Sequence, residues 1–160
     1  MKAINVAHFI IANQDHYGDL ITNKKLQKLL YYTEAWGLVH LDGIIDEDFE
    51  AWVHGPVIPS IYHNYSKYGY SPIKNDDIKD YKASSIIENF KKENRDIYDL
   101  INIVLKKYGT LTSLELELLS HSEKPWVLAR KKLKPFENGG KDNIINKSIM
   151  REFYSGLISK

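Results

Sequence analysis

The sequence predicts a mainly α fold: a compact single-domain helical bundle of about six to seven helices with one small β-hairpin, occupying residues 1–160. Three observations carry this expectation. Apolar residues recur at helical spacing along most of the chain. Thr and Asn capping signals punctuate that spacing. Around residues 49–54 the period drops to two, the spacing of a strand. A length of 160 residues with 43% hydrophobic and 27% charged content suits one shared core.

The elements follow in order. Ala3, Ala7, Ile10 and Ile11, flanked by Val6 and Phe9, predict a helix over 3–13, and the polar run Asn13–Asp19 with Gly18 predicts a loop. Thr22 is placed to accept an orphan N–H of the next helix, with Ile21 and Leu26 as a hydrophobic staple. Leu26, Leu29, Leu30, Thr33 and Trp36 share one face, and Gly37 is expected to end the helix. Phe49, Ala51 and Val53 then alternate with Glu50, Trp52 and His54. With Asp46-Glu47-Asp48 as the turn, Ile44 and Ile45 would pair back on this strand as a hairpin. Pro56 suits the first position of a short helix, where a missing N–H costs nothing. That helix carries Ile58, Ile61, Tyr65 and Tyr68 and stops at Gly69.

Residues 70–84 are polar and irregular. Ile86, Ile87 and Phe90 start another helix, with a break near Glu93-Asn94. Ile97, Leu100, Ile101, Val104, Leu105 and Tyr108 give the strongest amphipathic pattern in the chain, closed by Gly109. Thr112 and Glu115 form a capping box, and Leu111 staples to Leu116. Pro125 opens a helix with Trp126, Ala129 and Leu133. After a loop over 134–143, Asn146 caps the last helix, stapled by Ile145 and Met150, with Ile149, Phe153 and Leu157 expected to face inward.

Composition narrows the function. No cysteine is present, which removes thiolate chemistry and disulfides, and no apolar run matches a membrane span. The amino terminus lacks the layout of a signal peptide, so a soluble, cytoplasmic protein without membrane contact is expected. The 22 basic and 21 acidic residues give a net charge of +1, and nucleic-acid binding, which draws its affinity from basic excess, is not expected. The cluster Arg130, Lys131, Lys132 and Lys134 reads as a solvated helix end. Asp42, Asp46, Glu47, Asp48 and Glu50 read as a solvated turn, with an electrostatic docking patch as the alternative. Helices 97–108 and 113–120 could mimic a helix-turn-helix. However, the second offers Glu115, Glu117 and Ser120, and carboxylates repel phosphates.

Catalytic signatures are missing. The six histidines show no metal-ligand spacing, and no nucleophile elbow or phosphate-cradling loop occurs. We expect no catalytic residues, no metal and no cofactor. The enzyme alternative would join His54 to Glu34 or Glu50. Aromatic residues are the remaining signal, with eleven Tyr, three Trp and five Phe. Tyr31 and Tyr32 are adjacent on a helix and cannot face the same way, so one of them is expected to point outward. Tyr and Trp carry much of the energy of protein interfaces. The candidate contact residues are accordingly Tyr31, Tyr32, Trp52, His54 and Tyr62.

Two stretches add a family resemblance. Ile21-Thr22-Asn23-Lys24-Lys25-Leu26-Gln27-Lys28-Leu29-Leu30-Tyr31-Tyr32, followed by Ala35-Trp36, resembles the first signature of the Panacea domain. Glu50-Ala51-Trp52-Val53-His54-Gly55-Pro56-Val57-Ile58-Pro59, followed by Tyr62 and Tyr65, resembles the second. Leu114 to Trp126, with its Pro125-Trp126 pair, is a third, weaker match, and Lys24-Lys25 is a local departure. The family includes GepA-like phage-associated proteins and SocA-like antitoxins. The resemblance implies an antitoxin of a bacterial or prophage type II toxin–antitoxin system. Such a chain would bind a cognate protein toxin, encoded by the adjacent gene, and neutralise it directly. The alternatives it implies are a proteolytic adaptor that delivers the toxin to a protease and a DNA-binding autoregulator. It fixes neither the toxin nor the oligomeric state.

Overall fold

A computed structural model describes residues 1–160. The chain forms eight α-helices and one small antiparallel hairpin. They are α1 (Ala3–His16), α2 (Asn23–His40), α3 (Pro59–Tyr65), α4 (Ala83–Glu93), α5 (Arg95–Tyr108), α6 (Ser113–His121), α7 (Lys124–Ala129) and α8 (Lys147–Ile158). Strands β1 (Glu50–Trp52) and β2 (Gly55–Val57) pair between α2 and α3. The break near Asn94, at φ −138° and ψ 56°, separates α4 from α5 and brings the count above six or seven. No helix is long and apolar enough to cross a membrane.

Helix α2 is the centre of the molecule. It packs against α1, α5 and α8, and also against α3, α6 and β2. Neighbours on every side bury almost its whole circumference, including Gln27, Lys28, Thr33 and Glu34. A buried polar group needs a partner, and apart from Thr33, whose hydroxyl has none, those on α2 find partners mainly in the segments around it. The Glu34 carboxylate accepts the backbone N–H groups of Ile44 (2.9 Å) and Ile45 (2.7 Å), and its second oxygen lies 3.1 Å from the Lys147 ammonium. Gln27 accepts the Ile58 N–H (3.0 Å), Asn23 donates to the Tyr62 carbonyl (3.0 Å), and Lys25 donates to the Gly109 carbonyl (2.6 Å). One helix thereby fixes the 44–45 segment, the start of α3 and the α5–α6 turn.

The predicted caps form. Thr22 accepts from Lys25, Thr112 and Glu115 close the capping box, and Asn146 accepts from Ile149. Several boundaries differ from expectation. Helix α1 runs on to His16, so the loop starts later than Asn13. Helix α2 continues through Gly37 to His40. Gly37 serves a close approach instead of a stop, since a Cβ there would fall 2.6 Å from Ile44 Cδ1. The hairpin partner of β1 lies after it, not before: Glu50, Ala51 and Trp52 face Val57, Pro56 and Gly55. Ile44 and Ile45 are held by Glu34 and not by strand pairing. Pro56 therefore sits in a strand, and the proline at the helix start is Pro59. On α8 the buried face centres on Met150 and Tyr154, and Leu157 is exposed, because α8 meets α2 one position round from the predicted stripe.

Most of the charged clusters are exposed as expected, Lys131, Lys132 and Lys134 at one and Asp42, Asp46 and Asp48 at the other, but single members take structural roles. Glu47 accepts the Ala3 N–H at 2.8 Å and Asp42 pairs with Arg151. Arg130 is buried, donating to the carbonyls of Ala51 (2.7 Å), Asn138 (2.9 Å) and Glu137, so it ties the 137–138 loop to β1 instead of sitting in a solvated helix end. Replacing Glu34 with Ala leaves two buried N–H groups without a partner and Lys147 with the Ile45 carbonyl in place of its ion pair, and a loss of about 3 kcal/mol is expected. Urea unfolding checks this: the midpoint should fall at unchanged slope, and a loss under about 0.5 kcal/mol would mean apolar packing alone holds the loops.

Candidate binding site

The hairpin, α3 and the first two turns of α2 enclose a cavity of about 570 Å³. Trp52 at the end of β1, His54 in the turn and Tyr62 on α3 come together at this cavity, as do Lys24 and Lys28 from α2. Trp52 and Tyr62 meet edge to face, with ring centroids 5.0 Å apart. The Trp52 indole N–H donates to Glu50 (2.6 Å), and its carbonyl accepts from the Trp126 indole (3.0 Å). His54 is 70% exposed at its side chain, and its Nδ1 lies 2.7 Å from Glu117 Oε1 on α6. Lys24 reaches the same oxygen at 3.3 Å. Burial pushes the Glu117 carboxyl up, but the His54 hydrogen bond and the Lys24 charge outweigh it and hold it below its ordinary value.

Beneath the hairpin lies Lys28, only 1% exposed. Its Nζ donates to the Pro56 carbonyl over 3.4 Å. Burial, with the neighbouring Lys24 charge, pushes this ammonium down to about 7, against the pull of Glu117. Gly55, at φ +109°, is what lets the turn close over it: a Cβ there would lie 2.4 Å from Lys28 Cε. Next to this group the His121 ring stacks on Trp126 with centroids 3.9 Å apart, and burial lowers its pKa.

Three of the five expected contact residues thus meet at one accessible surface, and two do not. Tyr31 and Tyr32 are both 0% exposed. Adjacent residues on a helix do point in different directions, but on α2 both directions are covered. Tyr32 stacks on Tyr108 (4.1 Å between centroids) and donates to Glu123 (2.6 Å). Tyr31 packs edge to face on Phe49, and the Tyr154 hydroxyl, 3.4 Å from that of Tyr31, also donates to Glu123 (2.9 Å). Burial raises the Glu123 carboxyl and opposes ionisation of all three tyrosines. This is a core network with both tyrosines shielded from the surface.

The enzyme alternative is also changed. His54 meets Glu117, while Glu34 binds backbone and Lys147, and Glu50 binds Trp52. Glu117 and Ser120, taken from sequence as the outward polar face of α6, are turned inward. Sequence reasoning missed Lys24, Lys28 and Glu117 as site residues. A lysine at 28 amid Leu26, Leu29 and Leu30 was a usable signal. Glu117 had none, since its partner is 63 positions away.

A carboxyl held low binds its proton more readily in the unfolded chain, so its stabilisation is complete above the ordinary value of 4.5 and is lost as pH falls through the lower folded value. The advantage of the parent chain over Glu117→Gln in urea unfolding should therefore be present at neutral pH and vanish in acid. A pH-independent difference would show that the pairs with His54 and Lys24 do not contribute.

The family described as Antitoxin SocA-like, Panacea domain, matches residues 26–127, a span that includes most of α2, the hairpin and α6. The Antitoxin SocA of Caulobacter vibrioides (strain NA1000 / CB15N) is 36% identical over 109 residues, covering 66% of this chain. The chain spans 58% of that relative's length. No solved structure matches. With the family match running from α2 into α7 and taking in nine of the twelve residues that line the Lys28 cavity, all but Asn23, Lys24 and Asn138, the chain belongs to the SocA-like Panacea domain family.

Proposed function

We propose that the chain is an antitoxin of a type II toxin–antitoxin system that neutralises a cognate protein toxin, encoded by the adjacent gene, by binding it directly in the cytoplasm. The observation that carries this reading is the rim of Trp52, His54 and Tyr62 around the cavity, on a member of an antitoxin-like family. Trp and Tyr at the centre of an interface dominate binding energy. These side chains are already held, Trp52 by Glu50 and His54 by Glu117, so little rotamer freedom remains to be lost on association.

Co-expression with the product of the adjacent gene tests the proposal. Relief of growth inhibition together with co-elution of a complex supports it; a folded chain that gives neither refutes it. Trp52→Ala and Tyr62→Ala should each weaken the complex by at least about tenfold. Tyr32→Phe should lower stability by about 1 kcal/mol and leave affinity unchanged. Toxin abundance separates blocking from delivery to a protease, since direct blocking leaves the toxin level intact.

A further inference from the structure

We propose that the cavity under the hairpin receives a carboxylate, the aspartate or glutamate side chain of a partner polypeptide, which enters between Trp52 and Tyr62 and settles beside Lys28. The source of the carboxylate rests on the protein-binding role above; the chemistry of the pocket does not.

Four observations support it. The cavity walls carry Lys24, Lys28 and His54, and none of the twelve lining residues is acidic. Asn23 and Lys24 open α2, so the positive end of its dipole adds to the same potential. An ammonium has three donors, and the acceptor given to Lys28 is the Pro56 carbonyl alone, at long range. Glu117, the carboxylate whose charge acts on Lys28, has its Oε1 engaged by both Lys24 and His54, so three basic side chains share a single acid.

The lysine is also fixed in place. Gly55 closes over its stem with no room for a Cβ, which positions the amine before any ligand arrives. The titratable groups around it are Lys24 on its own helix, Glu117 and His121 on α6, and His54 in the hairpin turn. A carboxylate placed there restores the lysine charge, so binding takes up a proton when the free amine is largely neutral.

Lysine side-chain 15N NMR on the full chain provides the test. The free chain is titrated with pH alone, then with N-acetyl-aspartate N-methylamide, then with inorganic phosphate, and the measurement is repeated on the toxin complex. The aspartate probe should raise the Lys28 midpoint by about one pH unit, and the complex should raise it further. Lys28→Met, which removes a buried charge at similar volume, should keep the fold, lose the response and weaken the toxin complex by at least about tenfold. No response to the aspartate probe, or a larger one to phosphate, overturns the proposal without needing any variant. A toxin complex that forms with the Lys28 midpoint unmoved, or equally well with Lys28→Met, overturns it and leaves the antitoxin reading standing. An aspartate response in a chain that binds no toxin supports the pocket and removes the antitoxin reading.

Discussion

The architecture depends on a helix that is buried all round and yet carries polar side chains. Helix α2 places Asn23, Gln27, Lys28 and Glu34 where water does not reach. Each would be costly without a partner, and the surrounding chain is arranged to supply one. Glu34 gathers the 44–45 segment and Lys147, and Gln27 and Asn23 set the start and the middle of α3. Apolar packing drives α1, α5 and α8 onto α2, but the hydrogen bonds decide where the connecting segments lie. Burial by itself is non-directional, so the directional bonds give this fold its specific loop positions.

Lys28 is the member of this set least well satisfied, and the site lies over it. The hairpin reaches it through Gly55 and Pro56, and α6 reaches it through Glu117. Arg130 and Trp126 secure the other side of the hairpin by binding the Ala51 and Trp52 carbonyls. The rim aromatics consequently stand on a rigid base, although the sheet has only two strands. A surface built this way suits recognition, where preorganisation lowers the cost of association. The same buried lysine connects recognition to proton binding, because its charge is expensive until an acid joins it.

The aromatic content divides by location. Tyr31, Tyr32, Tyr108 and Tyr154 form the interior network around Glu123, where rings stack and hydroxyls satisfy one another and the acid. Trp52, Tyr62 and Tyr70 border the cavity, and Tyr70 is almost fully exposed. Residue type alone does not separate the two groups, since Tyr has an apolar body and a polar tip that suit either setting.

The amino-acid order by itself determined the helix starts at Thr22, Thr112 and Asn146, the stop at Gly69, the break near Asn94 and the strand around Ala51. These signals are legible because a cap or an alternation involves residues within one turn or two pleats of each other. It also indicated Trp52, His54 and Tyr62 as surface residues. Tertiary structure alone decided that Tyr31 and Tyr32 are core, that α2 passes through Gly37, that β1 pairs forward with Gly55–Val57, and that His54 meets Glu117. The reason is that exposure and long-range pairing belong to whatever packs from outside. A helix stripe predicts one buried face, and nothing in the spacing of α2 tells how many neighbours will surround it.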